Sequence, residues 1–115
     1  MEITVGEMGG AVVVAVVGDI DGKTAPEAQK KVLGELRQGG RVLLDLSGTR
    51  YMSSAGLRVL LLVHREATAR AAKLVLVGVR PDVREVMNAT GFLRYFTLVD
   101  SVDAAAALAP GGSAA

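Results

Sequence analysis

Asp45-Leu46-Ser47-Gly48-Thr49-Arg50-Tyr51-Met52-Ser53-Ser54-Ala55-Gly56-Leu57-Arg58-Val59-Leu60-Leu61 carries three local instructions in one stretch. The run from Arg41 to Leu46 reads as a strand, Ser47 to Met52 breaks it, and a helical period begins at Ser54 and reaches about Ala71. Ser53 or Ser54 must stand near the helix N-cap, where a hydroxyl satisfies an orphan backbone N–H. The same helix start favours an anion, so a phosphate carrying about −1.5 to −2 charge is tolerated there without unfolding. Gly56 in the first turn costs up to ~1 kcal/mol relative to alanine, and the expected return is backbone left open to an incoming partner. If Leu57, Leu60, Leu61 and His64 face a sheet, then Arg58, Leu62, Arg65 and Ala69 form an outer stripe of charge and aliphatic surface, a candidate docking face.

Upstream, residues 2 to 8 and 11 to 17 are rich in β-branched side chains and meet at Gly9-Gly10, which predicts an antiparallel hairpin. The loop Gly18-Asp19-Ile20-Asp21-Gly22-Lys23 leads to Thr24-Ala25-Pro26-Glu27, whose capping-box spacing and early proline predict a helix start at Thr24. Ala25, Ala28, Val32 and Leu36 then share one face until Gly39-Gly40 ends the helix. Downstream, Lys73 to Val77 reads as a strand covered on both faces. Pro81 to Thr90 reads as a helix through Val83, Val86 and Met87, closed by Gly91 with Phe92 packing beyond the cap. Phe96 to Val99 completes the strands, and Ser101 or Asp103 caps a last alanine-rich helix. Residues 109 to 115, a proline, glycine, serine and alanine tail, are expected to be disordered. The order β-β-α-β-α-β-α-β-α predicts one α/β domain over residues 1 to 108, with a mixed sheet whose later strands are joined by helical crossovers.

Composition narrows the function. The 115 residues have a formal charge of +1 with both signs scattered, so no clustered Lys and Arg mark a nucleic-acid surface. There is no cysteine, which excludes disulfides and thiol chemistry and fits a reducing compartment such as the cytoplasm. The apolar runs, Ala11 to Val17 and Val59 to Val63 among them, fall short of the roughly 20 residues of a membrane helix, and no signal peptide is expected.

Two motifs invite chemistry and are set aside on spacing. Gly18 to Thr24 follows a strand, opens a helix and ends in Gly-Lys-Thr like a phosphate-binding loop. However, its glycines are separated by three residues instead of four, and Asp19 and Asp21 would repel phosphate. His64 is the only histidine and falls in mid-helix, so neither a zinc site nor a serine triad is assembled. The chain is expected to act by binding and not by catalysis, with no cofactor.

Asp45-Leu46-Ser47 with Tyr51-Met52-Ser53-Ser54-Ala55-Gly56-Leu57, together with Gly18-Asp19-Ile20-Asp21 followed by Thr24, resembles the STAS family and specifically its bacterial anti-sigma factor antagonists. The family's Asp-x-Ser strand end and Tyr-Met-Asp-Ser-Ser-Gly-Leu motif fall on these positions, and the resemblance spans residues 1 to 108. It implies the STAS fold with about four helices and places Ser54 at the phospho-acceptor position, with Ser53 as the secondary candidate. Asp21 matches a loop acid beside the acceptor. Taken with the outward helical stripe and the open first turn, the expected partner surface comprises Asp19, Asp21, Lys23, Thr24, Ser53, Ala55, Gly56, Arg58 and Leu62. The sequence departs from the motif where Ser53 replaces an acid and Ala55 replaces Ser or Thr.

In the family, the unphosphorylated antagonist binds an anti-sigma factor serine kinase of the histidine-kinase-like ATPase fold and frees a sigma factor. Phosphorylation ends that contact, and a PP2C-type phosphatase restores it; ATP and magnesium belong to those partners. The alternatives are a STAS scaffold or regulatory module that is not phosphorylated and, from another class, a small nucleotide-binding protein using the 18 to 24 loop.

Overall fold

Gly9 and Gly10 both adopt positive φ, 57° and 84°, the geometry of a two-residue hairpin turn that only glycine and a few polar residues tolerate. They join β1 (Glu2–Met8) to β2 (Ala11–Val17) as an antiparallel pair in continuous register from Glu2↔Val17 to Met8↔Ala11. The computed structural model describes residues 1–106. The expectations for residues 107–115, including the domain end at 108 and the tail, lie outside the described residues.

From β2 onward every connection is a helical crossover. The helix α1 (Ala25–Glu35) leads to β3 (Arg41–Gly48), α2 (Ser54–Ala69) to β4 (Lys73–Val77), and α3 (Pro81–Ala89) with a 3-10 turn at Leu93–Tyr95 to β5 (Thr97–Val99). The sheet runs in the order β1-β2-β3-β4-β5, with β2 to β5 mutually parallel, so each strand lies beside its sequence neighbour. The mixed α/β architecture expected from the sequence is therefore the one observed.

Alternation along β3 divides the core. Val42, Leu44 and Leu46 meet residues of α1, α2 and α3 in one buried cluster, whereas Leu43 joins Ala11, Val75, Val77 and Ala105 on the opposite face. That second face is covered by α4 (Val102–Ala106), whose first turn is capped by Ser101: its Oγ accepts the Ala104 N–H at 3.0 Å. The double cover expected for β4 is thus present. Gly91, at φ 78°, ends α3, and the Phe92 N–H reaches the Met87 carbonyl at 2.8 Å, with Phe92 packed on the core.

Several details differ from expectation. The strand β3 extends two residues past Leu46 because Gly48 pairs with Val17 after a register shift. β5 begins at Thr97, since the preceding residues turn as a 3-10 helix. The inward face of α2 is Gly56, Leu57, Val59, Leu60, Val63 and Ala67; Leu57 and Leu60 face inward as expected from the sequence, whereas Leu61 and His64 are only half-buried. Gly56 lets the first turn approach the sheet closely and rotates Val59 and Val63 to the centre. His64 is displaced to the flank, where its ring lies 5.3 Å from Phe96 and 6.0 Å from Tyr95 between centroids. Val86 is exposed, so Val83 and Met87 alone anchor α3.

The first two helices are tied at their far ends by one side chain. No basic residue lies in the last turn of α1, but Arg70 at the end of α2 donates through Nη1 to the Leu36 carbonyl at 2.7 Å and the Leu33 carbonyl at 3.4 Å. Its Nε sits 3.3 Å from Glu66 Oε1. A cation on exposed C-terminal carbonyls satisfies orphan acceptors and the helix dipole together. Replacing it (Arg70→Ala) is expected to lower unfolding stability by about 1–2 kcal/mol. Glu66→Ala, which removes only a half-exposed ion pair, should cost less than about 0.5 kcal/mol. Urea midpoints at unchanged slope separate the two.

Candidate functional site

Two loops at one edge of the sheet are fastened together like a short continuation of the β2–β3 pairing. The Gly18 N–H donates to the Gly48 carbonyl at 3.0 Å, Ile20 N–H to Tyr51 at 3.0 Å, and Ser53 N–H back to Ile20 at 2.9 Å. Ile20 and Met52 form a parallel bridge with both side chains buried. Thr49, fully buried, donates its hydroxyl to the Val16 carbonyl at 3.1 Å. These three anchors were missed in the sequence; their signal is an apolar side chain, or a threonine, embedded in otherwise polar loops.

Within the first loop Asp21 organises the backbone. Its Oδ1 accepts the Lys23 N–H at 2.9 Å and the Thr24 N–H at 3.1 Å, while Thr24 Oγ1 accepts the Asp21 N–H at 2.9 Å and donates to the Asp19 carbonyl at 2.8 Å. The expected capping box is absent: Thr24 occupies the N-cap of α1, yet its hydroxyl serves the loop instead of the helix. The backbone hydrogen bonds from Thr24 and Lys23 hold the Asp21 carboxyl below the usual aspartate range. A phosphate-binding loop would aim those N–H groups at its ligand, but here a carboxylate occupies them. This geometry opposes the nucleotide-binding reading. Lys23 remains exposed at the surface, as does Asp19.

The second loop delivers the serines. Ser53 is the N-cap of α2 by position, in extended conformation, but makes no side-chain cap; its Oγ donates to the Ile20 carbonyl at 3.4 Å. The serine N-cap bond expected from the sequence is therefore not formed, and the first-turn N–H groups lack a side-chain partner. Ser53 is half-buried, whereas Ser54, the first helical residue, is exposed, and among the described residues its hydroxyl makes no hydrogen bond. The Asp45-x-Ser47 pattern has a local meaning too: Asp45 Oδ1 accepts the Ser47 N–H at 2.9 Å as the strand ends.

Gly56 is buried, which corrects its reading as backbone open to a partner. A Cβ there would lie 2.5 Å from Met52 Cγ and 2.8 Å from the Ile20 carbonyl oxygen, so glycine is what allows α2 to seat on the bridged loops. Ala55, Arg58 and Leu62 do lie on one outward stripe. With Val59 they form one wall of a groove of about 490 Å³, whose other wall is Gly22, Ala25, Pro26, Gln29 and Lys30 of the α1 side. The α1 wall was not anticipated from the sequence, because nothing in the residue pattern specifies which helix lies beside α2. Tyr51 is also exposed near the serines. Among the described residues no group of three or more metal-ligating side chains assembles, and no helix is long and apolar enough to cross a membrane.

With this geometry in place, three comparisons bear on the chain. The profile of the STAS domain matches residues 2–105. The chain is 36% identical over 108 residues to BtrV of Bordetella bronchiseptica, a protein assigned as an anti-sigma factor antagonist, and the match covers 93% of each. An anti-sigma factor antagonist from Mycobacterium paratuberculosis superposes with a TM-score of 0.78 at 25% identity, covering 89% of this chain and 87% of that one. The Bacillus protein SpoIIAA in its phosphorylated form shares the fold, with a TM-score of 0.67 at 20% identity over 90% of this chain and 96% of its own.

Two outcomes are expected from the site geometry. Gly56→Ala should destabilise the protein by about 1–3 kcal/mol through overpacking, opposite in sign to the ~1 kcal/mol gain that helix propensity alone predicts; thermal or urea unfolding decides between them. Because the folded-state value of Asp21 is depressed, its contribution to loop order is present above the ordinary aspartate pKa and is lost as pH falls through the lowered one. The Lys23 and Thr24 amide resonances should shift with a midpoint below that of a free aspartate, and Asp21→Asn should remove this titration.

Proposed function

Because the chain belongs to the STAS domain family, we propose that it is a cytoplasmic anti-sigma factor antagonist, acting through protein binding and not catalysis, whose binding is switched by phosphorylation of Ser54. The observation that carries this reading is the disposition of the two serines. Ser54 is exposed at the first turn of α2 with a free hydroxyl, whereas Ser53 is half-buried and turned onto the Ile20 carbonyl. A kinase needs the acceptor oxygen in reach, and only Ser54 offers it without local rearrangement. The similarity to BtrV and to the mycobacterial antagonist supports the same reading.

The physical effect of the phosphate follows from its surroundings. First-turn N–H groups without a side-chain cap, together with the helix dipole, favour the added anion, so phosphorylation leaves the fold intact. The charge appears beside the loop bearing Asp19 and Asp21, at the surface a partner must approach. Unphosphorylated, the protein binds an anti-sigma factor serine kinase and releases the sigma factor; phosphorylated, it is repelled, until a PP2C-type phosphatase resets it.

The test compares Ser54→Ala and Ser54→Asp as baits in lysate of the native cells, alongside intact-mass analysis of the wild-type protein. Ser54→Ala is expected to retain an ATPase-fold kinase, Ser54→Asp to bind it about tenfold or more weakly, and a single phosphate to map to Ser54. A phosphate that persists in Ser54→Ala on Ser53 would overturn the acceptor assignment. Equal retention by both baits with no phosphate would make the chain a STAS module that is not phosphorylated.

A further inference from the structure

The groove between α1 and α2 sets two cations around a small aliphatic patch. Its only charged lining residues are Lys30 and Arg58, one on each wall, and the remainder are small or apolar apart from Gln29. Ala25, Val59 and Leu62 give it an apolar base, on which Leu62 still exposes 38% of its surface. Among the described residues neither cation is in an ion pair: Glu27, one turn before Lys30 on α1, makes none, Asp21 is engaged by its own loop backbone, and Glu66 pairs with Arg70. The groove begins at Ala55, the residue after Ser54. A groove that sets an aliphatic patch of Ala25, Val59 and Leu62 between two cations is complementary to an aliphatic side chain flanked by carboxylates, not to a free inorganic anion, which would gain nothing from the patch.

We propose that this groove receives an acidic, aliphatic segment of the anti-sigma factor, seating one aliphatic side chain between α1 and α2 while its flanking carboxylates meet Lys30 and Arg58. The proposal rests on the antagonist reading and extends it to the α1 wall. A groove of this size holds only a few side chains, so it acts as an anchor within a contact that also covers the serine edge. It gives the phosphate a second mode of action. Arg58 lies four residues after Ser54, a spacing at which helical side chains meet, and a phosphoserine would draw the guanidinium into a charge-assisted pair. The partner's carboxylate then loses one of its two counter-charges.

The test uses the purified kinase retained by Ser54→Ala and measures its Kd for charge variants by calorimetry. Lys30→Glu is expected to weaken binding about tenfold or more and to flatten its dependence on salt. Lys31→Glu, one residue on and outside the groove, should change it by less than about twofold. A photoreactive side chain at position 29 should crosslink a partner segment that carries Asp or Glu beside an aliphatic residue. If Lys30→Glu binds like Lys31→Glu while Ser54→Asp does not bind, the groove assignment is overturned and the antagonist reading stands. A crosslinked segment without acidic residues also overturns it. If Ser54→Ala retains no kinase, both fall together.

Discussion

Two backbone hydrogen bonds to one residue, Ile20 N–H to the Tyr51 carbonyl and Ser53 N–H to the Ile20 carbonyl, fix everything that follows at the functional edge. They make the loop after β2 and the loop after β3 a single piece of pseudo-sheet, with Ile20 and Met52 buried beneath it. The start of α2 is built on that piece. Gly56 can come within van der Waals range of Met52 and the Ile20 carbonyl only because it has no Cβ. The orientation of Ser54 and Arg58 is thus set by contacts beneath the helix, not by a cap on its end. Buried Thr49 completes the support by holding the second loop to β2.

A cap would be the usual solution at such a helix start, and its absence has a physical logic. A serine hydroxyl bound to a first-turn N–H would lower the local energy and occupy the groups that favour an incoming anion. Here the seating against Ile20 and Met52 supplies the order, so the end of the helix stays electrostatically available. The adjacent loop follows the opposite rule. Its N–H groups at Lys23 and Thr24 are closed by Asp21, so a phosphate near both loops has an unoccupied set of donors at α2 and an occupied one at α1.

Much of this was legible in the sequence, and the reasons for the exceptions are specific. The hairpin at Gly9-Gly10, the crossovers and the Gly91–Phe92 closure are written in short-range patterns, and the structure carries each of them. The serine pair and the outward positions of Arg58 and Leu62 were visible from helical spacing. The inward face of α2 was misjudged at Leu61 and His64 because periodicity weighs leucines above valines and cannot see that a glycine brings one side of the helix closest. The capping roles of Thr24 and Ser53 were misread for a related reason: both side chains have long-range or loop partners that outcompete the local bond. The α1 wall of the groove, and the reach of Arg70 onto the end of α1, are tertiary facts with no local signature.

The strand order also bears on how the molecule is made. Because each strand hydrogen-bonds to the one before it in the chain, no pairing waits for a distant segment, and the largest ring to be closed at any step is one crossover. Closure entropy rises only slowly with such ring sizes, and sheets assembled from near neighbours fold faster than those that interleave distant strands. The hairpin can form while the remainder is still being synthesised, each later helix and strand then adding to an existing edge. The loops after β2 and β3 meet as soon as β3 and α2 are laid down, so the edge bearing Ser53 and Ser54 is assembled before the far edge of the sheet is complete.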